Sequence, residues 1–157
     1  MPRKTNAVRL VESAGVDYEL REYDISLEDF SAEAVAELIG VPAAQVFKTL
    51  VAHGDRGGPC FAVIPADAEL DVKALARATG DRRVALAPLK EVEPLTGYRR
   101  GGVTALGARK RLPVYLDLSA TDHDVIGVSA GTKGIQLLVS PTDYIALTNA
   151  ETAAIVR

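Results

Sequence analysis

Lys48 stands in the apolar run Val46-Phe47-Lys48-Thr49-Leu50-Val51, where a charged ammonium needs a compensating role. Far downstream lie two glycine-rich stretches, Gly101-Gly102-Val103-Thr104-Ala105-Leu106-Gly107 and Val128-Ser129-Ala130-Gly131-Thr132-Lys133-Gly134. Glycine lets backbone N–H groups approach a ligand with no Cβ in the way. A lysine and such amides can together stabilise negative charge developing on a carbonyl or phosphate oxygen, most strongly where water is excluded. The hydroxyls of Thr49, Thr104 and Ser129 are available as further contacts to a small polar ligand. Plainer readings stand beside this one: Lys48 as a charge on an edge strand or an ammonium snorkelling to water, and the glycines as ordinary tight turns.

Several other chemistries lack their residues. His53, Cys60 and His123 offer no short-spaced set of metal ligands, so no metal is expected. Both histidines fall in polar surroundings and read as solvent-facing, and Cys60, in Pro59-Cys60-Phe61-Ala62-Val63, reads as core filler. There is no Gly-x-Ser-x-Gly elbow. Gly127 to Lys133 and Gly102 to Arg109 both miss the phosphate-loop pattern, and no Gly-x-Gly-x-x-Gly follows a first strand, so no nucleotide cofactor is expected. What remains is a site of one lysine and backbone amides.

The elements that must hold these residues alternate without repeats. Thr5 to Ala14 has helical spacing of Val8, Leu10, Val11 and Ala14 and ends at Gly15; Tyr18 to Arg21 alternates like a strand. Ser31 is an N-cap for a helix carrying Val35, Leu38 and Ile39 up to Gly40. Val46 to Ala52 and Cys60 to Pro65 read as a hairpin around the long loop His53 to Gly58, which puts Lys48 on a strand beside Leu50 and Ala52, with Phe47, Thr49 and Val51 on the other face. Asp71 to Thr79 and Pro88 to Leu95 read as helices, Val84 to Ala87, Val114 to Asp117, Val125 to Ser129 and Ile135 to Val139 as strands, and Ser140-Pro141 opens a last helix through about Leu147. Interleaved hairpins and helices argue for an α+β fold.

With 157 residues, 48% of them apolar, the chain predicts one domain spanning residues 1–157. A single cysteine excludes an internal disulfide, and no apolar stretch has signal-peptide or membrane-spanning length, so a soluble cytoplasmic protein with no membrane partner is expected. A net charge of −3 argues against a DNA-coating or membrane-surface role. Locally the balance reverses: between Glu93 and Asp117 no acidic residue occurs, while Arg99, Arg100, Arg109, Lys110 and Arg111 do. That segment is either a solvated face balanced by acids elsewhere or a phosphate contact.

Phe47-Lys48-Thr49-Leu50, Thr96-Gly97-Tyr98, Gly101-Gly102-Val103-Thr104, Arg111-Leu112-Pro113 and Val128-Ser129 with Gly131-x-Lys133-Gly134 resemble, over nearly the whole chain, the YbaK/EbsC family of editing domains associated with prolyl-tRNA synthetase. The resemblance implies a mixed, mostly antiparallel, sheet or barrel-like core flanked by helices. It also implies hydrolysis of mischarged aminoacyl-tRNA, most typically cysteine on proline tRNA, with no cofactor. On that footing Lys48 contacts the aminoacyl-adenosine end, Gly101 and Gly102 shape the loop over the scissile ester, and Ser129 and Gly131 belong to the pocket loop. Tyr23 and Phe30 fall at aromatic pocket positions, with core packing as the competing reading for each. Ala105 stands where members often carry proline, and Gln136, where some carry an acidic residue, receives no role.

The substrate cysteine's thiol can attack its own ester, so an active site lacking a catalytic Cys or His is consistent with the resemblance. The tRNA partner would be held locally, through the Arg99-Arg100 and Arg109-Lys110-Arg111 clusters, and a prolyl-tRNA synthetase is a further partner the resemblance leaves open. Two other functions compete: a noncatalytic module binding tRNA 3′ ends or a synthetase, and a regulatory domain for a free amino acid.

Overall fold

Side-chain oxygens set the starts of four helices in the computed structural model, which describes residues 4–25 and 31–157. Thr5 Oγ1 accepts from Val8 N ahead of α1 (Asn6–Ala14), Ser31 Oγ from Ala34 N ahead of α2 (Ala32–Ile39), Asp71 from Lys73 N and Ala74 N ahead of α3 (Val72–Thr79), and Ser140 Oγ from Asp143 N ahead of α5 (Pro141–Thr148). Each cap satisfies amides that the helix itself cannot. α4 (Leu89–Thr96) instead follows Pro88 and has no side-chain cap. All five helices end on a residue with positive φ, glycine in four and Asn149 in α5.

The strands form two sheets. β1 (Tyr18–Glu22), β7 (Ile135–Val139) and β6 (Ile126–Ser129) make an antiparallel three-stranded sheet in the order β1-β7-β6. The second sheet runs β4 (Val84–Leu86), β2 (Phe47–Gly54), β3 (Gly58–Pro65), β5 (Val114–Asp117), β8 (Glu151–Ala153), antiparallel from β4 to β3 and parallel from β3 to β8. A lone parallel bridge, Val46 to Gly127, ties the sheets together. This is the α+β fold expected, and of the sheet or barrel-like core the described residues form the former: two sheets meeting at one bridge and no closed barrel.

Alternation along the strands builds two core layers. Phe47, Val51, Phe61 and Val63 face Ile126, Val128 and Leu137 of the other sheet, with α1 adding Ala7, Val8 and Val11. The opposite face of the larger sheet packs Ala52, Ala62 and Ile64 on Leu75 of α3 and on Ile155. A third cluster joins Ala36 and Ile39 of α2 to Val46 and Ala66. Burying each large apolar side chain contributes about 1.5–3 kcal/mol, so these layers dominate the stability.

Other differences from the expectations are local. The hairpin strands extend through most of the expected long loop, to Gly54 and from Gly58, because Asp55 and Asp81 tie the tip down. Leu38, expected to face inward, is 44% exposed on the outer side of α2. β8 has only three residues and no periodicity to reveal it; it exists because β5 offers it a ladder.

Candidate active site

An interruption in strand pairing creates the site. On one side β2 is paired with β3 along its whole length. On the other, β4 pairs only Ala52 to Gly54, Ala87 N bonds Val51 O, and β6 bridges only Val46. Between those contacts Phe47 to Leu50 have no paired strand among the described residues. Backbone groups of alternate residues point to opposite neighbours, and since Val51 O faces β4, the N–H and C=O of Thr49 fall toward the gap.

The gap is one wall of a cavity of about 750 Å³. Its other walls come from the first turn of α2 (Ser31, Val35), the β4–α4 corner (Leu86, Leu89), the loop at Arg100 and Gly101, and the end of the smaller sheet at Ser129 and Gln136. Of the residues picked out in sequence, Lys48, Thr49, Gly101, Tyr23 and Ser129 line this one cavity. Lys48 is half-buried and its Nζ donates to Ala66 O at 3.2 Å. β2 is an interior strand of the larger sheet with both faces covered, although Lys48 does lie on the stretch that lacks a second strand among the described residues.

The two glycine loops touch each other. A Cβ built on Gly102 would lie 2.8 Å from Thr132 Cα and 2.9 Å from Thr132 N, so only glycine permits the approach. At Gly101, with φ 90°, a Cβ would meet the aliphatic stem of Lys133 at 2.6–2.7 Å. The loop from Gly97 to Gly107 needs no proline at Ala105 to be held: Arg109 N bonds Thr96 O at 2.8 Å, Gly102 N bonds Arg99 O at 2.8 Å, and the buried Tyr98 Oη donates to Leu106 O at 2.7 Å. Burial pushes the Tyr98 phenol up to about 12.

Not every expected residue reaches the cavity. Thr104 is fully buried and its Oγ1 accepts from Leu106 N at 3.3 Å, a structural role inside the loop. Gly102 is buried behind Gly101, and Gly131 lines a neighbouring cavity beside Thr5 and Tyr98, its N–H bonded to Ser129 Oγ at 3.1 Å. Phe30 lies outside the described residues. His53 bonds the Glu91 carboxylate at 2.9 Å rather than pointing freely to solvent, and His123 sets its ring edge-on to Phe47 at 6.4 Å. Cys60 is buried in the second core layer, where burial, with a smaller contribution from Asp81, pushes its thiol up to about 11. At neutral pH it is an unreactive thiol, as core filler should be.

Sequence reasoning missed three polar lining residues. Lys133 and Arg100 bring a second and third cation to the cavity, and no carboxylate lines it among the described residues. Gln136 is 7% exposed with no hydrogen-bond partner at Oε1, and Thr49 Oγ1 is likewise buried and unpartnered. Lys133 was inside a quoted motif and Arg100 inside the basic segment, but only the contact between the loops brings them together. The arrangement can hold an anionic or carbonyl oxygen against cations and amides, with apolar walls at Val35, Leu86 and Leu89.

Residues 29–147 match the family model described as an aminoacyl-tRNA editing domain. A protein of Enterococcus faecalis, EbsC, named for Cys-tRNA(Pro)/Cys-tRNA(Cys) deacylase activity, is 44% identical over 98% of this chain and 93% of its own. The Escherichia coli protein ProXp-y, a multifunctional Ser/Thr-tRNA deacylase, is 26% identical over 92% of this chain and 87% of its own. A crystal structure described as a trans-editing enzyme for prolyl-tRNA synthetase superposes with a TM-score of 0.86 at 26% identity, covering 99% of both chains. A fold with this interrupted sheet, carrying these loops around one lysine, therefore belongs to the aminoacyl-tRNA editing domain family.

Proposed function

We propose that this chain, an aminoacyl-tRNA deacylase by family, removes cysteine from mischarged proline tRNA in trans. The observation that supports this best is a cavity with Lys48, Gly101 and two further cations on its walls and no cysteine or histidine among its described lining residues: Cys60 is packed away and both histidines are engaged elsewhere. Such a site suits a substrate that supplies its own nucleophile.

In this reading the cysteine thiol gives up its proton and its sulfur attacks the ester carbonyl. Negative charge builds on the carbonyl oxygen, where the Lys48 ammonium and the amides of the Gly101-Gly102 loop stabilise it. The C–O bond to the ribose then breaks, the ribose oxygen takes the proton, and the released thiolactone hydrolyses in water. The cavity contributes orientation and desolvation, which can lower a barrier by several kcal/mol (about 7–11 at the most favourable) without a catalytic base. Tyr23, Thr49 and Ser129 line the aminoacyl pocket, and Arg100 and Lys133 face the nucleotide end. Arg99, Arg109, Lys110 and Arg111 are exposed nearby and would meet the tRNA backbone, giving a modest, salt-sensitive contact. A synthetase holding the same tRNA would add the remaining specificity.

Single-turnover hydrolysis of cysteinyl-tRNA(Pro), alanyl-tRNA(Pro), seryl-tRNA and prolyl-tRNA(Pro) tests this. Rapid loss of the cysteinyl ester alone is expected. Equal cleavage of alanyl-tRNA would replace the thiol by a positioned water, and intact cysteinyl-tRNA would overturn the proposal.

A further inference from the structure

Gln136 is a buried acceptor whose neighbours all look elsewhere. On β7 it stands between Arg21 of β1 and Ser129 of β6 in the strand register. Arg21 directs its guanidinium to Ile39 O at 2.9 Å and to the Glu19 carboxylate, and Ser129 Oγ accepts from Gly131 N. Beneath the amide lies Gly127, and a Cβ there would come within 3.6 Å of Gln136 Oε1. The oxygen is thus lodged over a glycine, shielded from water and without a donor, on a residue that lines the cavity. Folding leaves such a group unpaired at a cost, and a ligand that supplies the donor recovers it.

The charges around the cavity say what the donor is. An aminoacyl ester carries an α-ammonium two bonds from the carbonyl carbon that reacts. Among the described lining residues the charged groups are Lys48, Arg100 and Lys133, all cations, and none of these residues offers the ammonium a carboxylate. It needs a neutral acceptor, and Gln136 Oε1 is a buried one that lacks a donor. Resting on the deacylase reading above, we propose that Gln136 recognises the α-amino group of the aminoacyl substrate. Its neutrality sets it apart from the family members that carry an acidic residue here: a carboxylate at this position would draw on the cavity's cations as well as on the ammonium.

The experiment compares ligands with and without the amine. The probes are 3′-cysteinylamino-3′-deoxyadenosine and its 3-mercaptopropionyl counterpart, amide-linked so that neither is cleaved, titrated by calorimetry into wild type, Gln136→Met and Gln136→Glu. Hydrolysis of cysteinyl-tRNA is measured separately. Wild type is expected to prefer the amino compound by about tenfold or more, the worth of one hydrogen bond to a charged group. The preference collapses in Gln136→Met and survives in Gln136→Glu, which keeps an acceptor but cleaves the ester more slowly while binding at least as tightly. No amine preference in wild type, or an undiminished one in Gln136→Met, overturns the assignment. Should Gln136→Met not fold, loss of the preference in Gln136→Glu overturns it as well. If wild type binds with the amine preference yet cleaves no ester, the deacylase reading fails and the recognition by Gln136 stands.

Discussion

The two ends of β2 follow opposite rules. At the hairpin end the chain closes its polar accounts: the Asp81 carboxylate accepts from Arg56 N at 2.9 Å, Gly57 N at 2.7 Å and Thr79 Oγ1 at 2.7 Å, while Asp55 accepts from Arg82 N and Arg83 N. At the other end no second strand pairs with it among the described residues, Thr49 Oγ1 and Gln136 Oε1 have no partner, and three cations line one cavity with no carboxylate among the described lining residues. Polar groups are paired at the first end and left open at the second, as is the Tyr144 hydroxyl in the core between the sheets. The strand therefore divides into a structural half and a reactive half, and substitutions in each should separate stability from turnover.

Lys48→Ala should break the reactive half most severely. Losing one preorganised donor to a developing oxyanion costs about 10²–10³ in rate, while the bond that Lys48 donates to Ala66 O is worth little to a half-exposed side chain. Single-turnover hydrolysis should collapse with the melting temperature nearly unchanged; equal rates for variant and wild type would remove Lys48 from the mechanism. Gly102→Ala comes next, because the new methyl would press on the Thr132 backbone and part the two loops. Overpacking of this kind costs about 1–3 kcal/mol, and displacing the loop by a fraction of an ångström lowers the rate about tenfold to 10²-fold. Urea unfolding and hydrolysis should fall together, unlike at Lys48.

Most of the scaffold was legible because local signals were strong. Ser31 and Ser140 cap as expected, Gly15, Gly40 and Gly80 end their helices, and Val114 to Asp117 is the strand that its composition predicts. β8 and the hairpin tip were not legible, since both depend on partners distant in sequence: β5 for the one, Asp81 for the other. Within the site, Lys48 announced itself as a charge in an apolar run. Gln136 did not, because a glutamine between Ile135 and Leu137 looks like any outward position on an alternating strand. That its oxygen is buried and unpaired follows only from its surroundings in three dimensions, with Gly127 of β6 beneath it. Thr104 shows the converse error, a hydroxyl of suitable type in a suitable loop that turns inward to bond Leu106 N.

Tyr98 joins the glycine loop to the core and sharpens the comparison at a smaller scale. Tyr98→Phe leaves Leu106 O without its donor, at a cost of about 1–3 kcal/mol. Because burial raises the phenol in the folded state, its contribution is complete below the ordinary tyrosine pKa and is lost as pH rises from about 10 through about 12. Thermal denaturation across that range should show an alkaline fall in the wild type that is shallower in Tyr98→Phe. An equally steep fall in both would assign it to other groups.

Asp81→Asn probes the structural half alone. The carboxylate is held below its ordinary value chiefly by Thr79 Oγ1, then by the Gly57 amide, with the Arg56 amide and charge adding to it. Native chains therefore favour the ionised form more than unfolded ones do. That stabilisation is present above the unfolded aspartate pKa and disappears as pH falls through the depressed folded value. Asparagine keeps one acceptor oxygen but surrenders the charge, so the melting temperature should drop at neutral pH and the gap to wild type should close in acid. Gly54 passes so close to the carboxylate that no other residue fits there, which keeps the effect local to the hairpin tip. Hydrolysis at 25 °C, read at the far end of the same strand, should not change. A fall in rate matching the fall in stability would mean that β2 transmits strain along its length and that its two halves are one unit after all.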